Sequence, residues 1–321
     1  MKKLYLLALC AATSYAGTVA CLNNSGDATL IQNSMTAGGT TTITGTCAIG
    51  TQEMTIPGNV TVTGTATLNY TGSSYIFQST FNNSTVTGLT FNGGGINLNA
   101  NTGATRAGWQ SGWNITNNTF RNITSGANGI SVDNIIGNGN HSSFSNNTFF
   151  NIWSNGYPNL GATGASNHAI YIGMGIDNLL IDSNHCSETN GNCVKGFTGG
   201  FPSTSLQYVA HNVVISNNDM QLGNRIGIEF NGTGCFGACN YGFDSYPDLV
   251  VKGNYWHNPP PSFGDVYAFS FMWGAGPIGG YYNNSGIVDQ TNCGIRPGIG
   301  IENDMWGGTL QGNVMTSVSL S

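Results

Sequence analysis

Charge is scarce in this chain: its 321 residues include eight Lys and Arg and fourteen Asp and Glu, a formal net charge of −6. So few cations cannot match a phosphate backbone, and nucleic acid is not an expected partner. Long apolar runs are also missing. The one candidate, Leu4 to Ala12, is too short to span a bilayer. Strong helix formers are few, and Gly, which weakens helix interiors, numbers 48. A helical bundle is therefore excluded. The chain is rich instead in Gly, Asn, Thr and Ser, with aliphatic and aromatic residues spaced regularly among them. That periodicity argues against disorder, which lacks recurring apolar positions.

Lys2 and Lys3, the apolar stretch after them and the small-x-small Ser14-Tyr15-Ala16 read as a secretory leader over residues 1–16. Residues 17–321 are then expected to form one exported domain, extracellular or periplasmic. Removing Cys10 leaves seven cysteines, an odd number in a compartment that permits disulfides. Cys21 with Cys47 and Cys235 with Cys239 are candidate staples. Cys186 and Cys293 are expected as small buried hydrophobes, with a Cys186–Cys193 bridge as the alternative. No spacing suggests a zinc site. No acidic cluster suggests calcium, so no cofactor or metal is predicted, although scattered carboxylates leave room for one calcium ion.

The informative pattern is a six-residue register, an apolar residue followed by four mostly polar ones and then a large apolar residue or Cys. It reads Val86–Phe91, Ile115–Phe120, Phe144–Phe149, Ile181–Cys186, Ile215–Met220, Val251–Trp256, Val288–Cys293 and Leu310–Met315. Its fourth position is Asn at Asn118, Asn147, Asn184, Asn218, Asn254 and Asn313. Successive starts lie 29, 29, 37, 34, 36, 37 and 22 residues apart. A fixed short register inside a variable period means one structural rung per repeat, with insertions confined to loops.

Each register is followed by a second alternating strand: Gly95–Leu98, Gly129–Val132, Ala169–Ile172, Cys193–Lys195, Gly227–Phe230, Ala268–Phe271 and Gly298–Ile301. Short strands separated by Gly and Asn bends stack as parallel coils. An Asn at the same bend of each coil can form an amide ladder and tolerates the left-handed conformation of such bends. The fold expected is an all-β, single-stranded right-handed parallel β-helix of about ten rungs. Residues 25–39 are expected as a short capping helix, with Ser25 or Asp27 as its cap and Gly38-Gly39 as its stop. No cap is evident after Met315, so either an oligomer contact covers the last edge or the chain continues.

The capping segment, Thr55-Ile-Pro-Gly-Asn-Val-Thr-Val-Thr-Gly64, the Asn-x-Phe-like rungs and His168-Ala-Ile-Tyr-Ile172 resemble the pectate-lyase-like superfamily of right-handed parallel β-helix proteins, from about Ser25 to Met315. The resemblance implies an extracellular polysaccharide as partner, cleaved or bound; other members are adhesins or tailspikes. The Asn-Thr-Asp, Gly-His-Gly and Arg-Ile-Lys motifs of polygalacturonases are absent, as is the Trp-Ile-Asp-His of one pectate lyase group.

Aligning the second strands gives a central outward column of Asn97, Ser131, Tyr171, Lys195, Glu229, Ser270 and Gly300. His168 and Arg225 flank it on one side; Asp133, Asn231 and Glu302 flank it on the other. Beyond the leader the chain has only two Lys and four Arg, so Lys195 and Arg225 on adjacent rungs beside His, Tyr and Glu are conspicuous. The competing reading is a cross-strand ion pair on a wet sheet face, Lys195 with Glu229. The insertions bordering the strip carry Trp153, Tyr157, Tyr241, Trp273, Tyr281 and Tyr282. Of these, Trp153, Tyr157, Tyr241 and Trp273 are expected to stack on sugar rings.

Two chemistries suit such a strip. In a uronate lyase, Lys195 or Tyr171 removes the proton α to the carboxylate, Arg225 clamps the carboxylate, His168 donates a proton and Glu229 orients a cation. A hydrolase needs two carboxylates about 5–9.5 Å apart; Glu229 with Asp133 spans several rungs, and Glu229 with Glu302 is marginal. The expected function is cleavage of an acidic polysaccharide by β-elimination. The alternative is a non-catalytic, glycan-binding or adhesin-like β-solenoid.

Overall fold

A computed structural model describes residues 16–99, 110–136, 142–153, 167–197, 212–221, 227–231, 246–257, 266–267, 270–273, 276–289, 295–296, 299–302, 305–306 and 308–318. The segment 1–16 expected as a leader thus lies outside the described residues apart from Ala16, which opens a strand, Ala16–Leu22, paired with Thr40–Thr46. The paired strands run parallel. In the larger sheet Val62 pairs with Val86, Val86 with Ile115, Ile115 with Phe144, Phe144 with Ile181, Ile181 with Ile215 and Ile215 with Val251. The first position of the six-residue register is therefore one continuous inward column.

The register divides its two central positions between different tasks. The third residue makes the bend: Gly88, Asn117, Asn146, Ser183, Asn217 and Gly253 all have φ between 55° and 78°. Only Gly, and polar residues that bond locally, adopt that conformation cheaply. The fourth residue points inward and builds the ladder. Each Asn Nδ2 donates to the next Asn Oδ1, from Asn118 to Asn147 (3.2 Å) through Asn184, Asn218 and Asn254 to Asn284 and Asn313 (2.8 Å). The same Nδ2 also donates to a backbone carbonyl one coil back, as Asn147 does to Ile115 (2.8 Å). Each Oδ1 accepts a backbone N–H besides, so these buried amides are satisfied on both ends.

Asn284 corrects the sequence reading. The seventh rung is Tyr281-Tyr-Asn-Asn-Ser-Gly286, not Val288–Cys293. Tyr281 pairs with Val251 and Leu310, and Gly286 pairs with Trp256 and Met315. Gly286 in the large apolar slot hid the register, and Tyr281, read as a loop aromatic, is fully buried. Val288 lies further along, in strand Ser285–Asp289.

The sixth position supplies the core. Phe91, Phe120 and Phe149 stack with centroids 4.7 and 5.0 Å apart, and Phe77 meets Phe91 edge-on at 5.6 Å. Such aromatic pairs are worth about 0.5–1.5 kcal/mol beyond their burial. Next in the column, Cys186 is buried, but as half of a disulfide with Cys193 rather than as a free thiol. Cys21–Cys47 forms as expected. Cys235, Cys239 and Cys293 lie outside the described residues.

The helix runs Asp27–Thr36 and buries Ala28, Ile31 and Met35 against the first coil, one face at helical spacing. Its N-cap is Gly26, without a side-chain cap. Asp27 instead sits inside the helix start and accepts from the amides of Leu22 (3.1 Å), Asn24 (3.0 Å) and Ala48 (3.0 Å). Gly38, at φ 84°, ends the helix. No helix among the described residues is long and apolar enough to cross a membrane.

Candidate functional site

The second strands form their own parallel sheet. Gln78 pairs with Asn97, Asn97 with Ser131, Ser131 with Tyr171, Tyr171 with Lys195 and Lys195 with Glu229. The column read from the alternating pattern is thus continuous from Asn97 to Glu229, and Gln78 extends it by one strand. It slips at the next strand: Glu229 pairs with Phe271, and Phe271 with Gly300, while Ser270 pairs with Ile228. Phe269, Phe271, Met272 and Trp273 put apolar residues at both parities, so alternation there does not specify register.

Lys195 Nζ and Glu229 Oε1 form an ion pair, with 13% and 10% of the two side chains exposed. The second oxygen, Oε2, accepts from Asn192 Nδ2 at 2.8 Å. Both carboxylate oxygens therefore face donors, an arrangement that suits an ionised Glu and a charged Lys. The half-buried Tyr171 stacks on His168, centroids 5.5 Å apart. His168 is buried; its Nδ1 accepts from the backbone N–H of Asn192 at 2.9 Å. Tyr171, Lys195 and Glu229 thus come together on three neighbouring strands, with His168 just ahead of the first of them.

Other expectations fare differently. Arg225, Tyr157 and Tyr241 lie outside the described residues. Trp153 is fully buried, so its ring faces packing neighbours rather than a sugar; it continues the inward run of Ile152. Trp273 pairs with Asn231 and Glu302 at the end of strand Ser270–Trp273. Sequence reasoning missed Asn192, which touches both His168 and Glu229. Its bonds span 24 and 37 residues, a separation no local pattern reports. The small hint was position, one residue before Cys193 at the head of its strand. Among the described residues no group of three or more His, Cys, Asp or Glu could hold a metal ion.

Among the solved structures that match nearly end to end are two enzymes. The mannuronan C-5 epimerase AlgE6 A-module of Azotobacter vinelandii aligns over 93% of this chain and 96% of its own, at 12% identity and a TM-score of 0.51. The endo-xylogalacturonan hydrolase of Aspergillus tubingensis aligns over 96% and 95%, at 12% identity and a TM-score of 0.52. The chain has the right-handed parallel β-helix fold. No family model and no curated protein sequence matches it. Within this β-helix, Tyr171, Lys195 and Glu229 share the second sheet, and His168 lies just ahead of its strand. Fold by itself does not assign chemistry, which has to be argued from those side chains.

Proposed function

We propose that this is an exported β-helix protein that cleaves a uronate-containing polysaccharide by β-elimination. The observation that carries the reading is the grouping of Tyr171 and the Lys195–Glu229 pair on consecutive strands of one parallel sheet, with His168 stacked on Tyr171 just ahead of its strand. Such a sheet can seat an extended glycan along the stack. The two matched structures, an epimerase of mannuronan and a hydrolase of xylogalacturonan, support a uronate polymer as the substrate class.

The groups can be assigned roles. Glu229 holds Lys195 as a cation, so of the two candidate bases Tyr171, as its phenolate, takes the proton from C5 of the uronate. The Lys195 charge stabilises the enolate-like state, with Arg225 as the carboxylate clamp. The electron pair of the broken C5–H bond forms the C4–C5 double bond, the C4–O4 bond breaks, His168 Nε2–H hydrogen-bonds the leaving oxygen, and the proton that Tyr171 took from C5 passes to that oxygen. A hydrolytic route is less well supplied. Strand geometry puts the Cα atoms of both Asp133 and Glu302 about 12 Å or more from that of Glu229, whereas glycosidase carboxyl groups lie about 5–9.5 Å apart.

The test is ultraviolet absorbance of unsaturated uronate over a panel of acidic polysaccharides, for the parent chain, Lys195→Ala and Tyr171→Phe. Absorbance that rises for the parent and falls about 100-fold or more in folded Tyr171→Phe supports the assignment. A rise retained in both variants keeps the lyase and removes this site. No rise on any polymer favours the second reading, a glycan-binding solenoid. That reading has its own support in the low exposure of Lys195 and Glu229.

A further inference from the structure

Just ahead of the second strands runs a short ladder of a different kind. The register places Asn128, His168 and Asn192 in one column on three successive coils. The backbone N–H of His168 donates to Asn128 Oδ1 at 2.8 Å, and the backbone N–H of Asn192 donates to His168 Nδ1 at 2.9 Å. One bond type is thus repeated, and the imidazole Nδ1 stands where Asn128 offers a carboxamide oxygen. A backbone N–H can only donate, so Nδ1 carries no proton while that bond exists. The ring proton is then on Nε2. Gly191 makes the approach feasible, since a Cβ there would lie 2.5 Å from His168 Nδ1 and 2.7 Å from Cε1.

Asn192 ends this ladder and starts something else. Its Oδ1 is buried with no hydrogen-bond partner among the described residues, while its Nδ2 is committed to Glu229 Oε2. The backbone of Asn192 therefore fixes His168 and its side chain fixes Glu229. We infer that Asn192 is the positioning residue of this site, and that it holds His168 as a neutral imidazole whose Nε2–H is a hydrogen-bond donor. The ladder role of His168 needs only an acceptor, which an Asn supplies one coil earlier. What His adds over Asn is the Nε2–H. A neutral donor matches an uncharged glycosidic or hydroxyl oxygen, whereas a uronate carboxylate would call for a cation. The assignment of that oxygen rests on the lyase reading above; the tautomer does not.

The tautomer is measured directly by long-range proton–nitrogen NMR on nitrogen-15-labelled protein, with His168 assigned by its loss in His168→Asn. At neutral pH the expected pattern is a proton-free Nδ1 and a protonated Nε2. A protonated Nδ1, or two averaged nitrogens, overturns the inference. Gly191→Ala is expected to drive the ring off and average the two signals. Asn192→Ala keeps the backbone N–H and is expected to leave the tautomer unchanged. His168→Asn preserves the ladder acceptor, so it is expected to fold and melt as the parent does while cleavage falls about 100-fold or more. Equal cleavage by His168→Asn would reduce His168 to a ladder member and sink its donor role. If the parent cleaves nothing, the lyase reading fails, and the NMR result still decides the tautomer.

Discussion

At the scale of single residues, two adjacent positions of the register look interchangeable in sequence and are not. Asn217 makes the bend at φ 55°, while Asn218 makes the ladder. Asn217→Gly should be nearly neutral in urea unfolding, because Gly adopts that conformation freely. Asn217→Val should cost about 1–2 kcal/mol, from the clash of a branched side chain in a left-handed backbone. The site has a similar asymmetry. Glu229→Gln removes the carboxylate that faces the mostly buried Lys195 ammonium, and should cost about 3–5 kcal/mol. Adding Lys195→Met to that variant should restore most of the lost stability, and a double-mutant cycle by chemical denaturation measures it. A double variant no more stable than Glu229→Gln would contradict a buried, mutually dependent pair.

At the scale of elements, the capping helix is the piece whose attachment depends on pH. Burial alone would raise the pKa of Asp27. The amides of Ala48, Leu22, Asn24 and Asn23 outweigh it and hold the carboxyl below the usual carboxylate range. A depressed folded pKa contributes stability above the unfolded value of about 3.9, and that stability is lost as pH falls through the folded value. Asp27→Asn should therefore lower the melting temperature at pH 7, through a loss of about 1–3 kcal/mol. The gap between variant and parent should shrink as the pH is taken down through the carboxylate range. A gap that is constant with pH would mean the carboxylate charge is immaterial to the cap. The Ser25 or Asp27 cap expected from sequence was right about the region and wrong about the task. Asp27 ties the helix to Leu22 and Ala48 rather than capping it, because the first coil passes close to the helix start.

At the scale of the whole molecule, each coil touches only its neighbours, so stability is a sum of coils and the interfaces between them. The Asn ladder runs from Asn118 to Asn313 through those interfaces. Asn218→Ala removes bonds to Ile181 O, Asn254 Oδ1 and the amide of Asn184. Orphaned buried groups cost about 1–3 kcal/mol each, so the total loss should be about 2–5 kcal/mol. Because the break falls in mid-stack, unfolding should also become less cooperative, with a lower denaturant slope. Asn313→Ala, at the last rung described, should cost less and leave the slope unchanged. Equal effects at both positions would argue against nearest-neighbour coupling.

The sequence alone determined the repeating unit. Alternation, the Gly or Asn bend and the inward Asn are local consequences of backbone sterics and of the need to satisfy buried amides, so six residues reveal them. It also placed Tyr171, Lys195 and Glu229 in one column, because strict alternation with one buried face specifies parity. Tertiary structure decided what alternation leaves open: the seventh rung behind Gly286, the slip at Phe271, the burial of Trp153, and Asn192 as partner of both His168 and Glu229. These depend on which coil lies above which, and stacking brings together residues 24 to 37 positions apart. A periodic pattern fixes each rung but not the contacts between rungs, and those contacts set the protonation and charge of the candidate site.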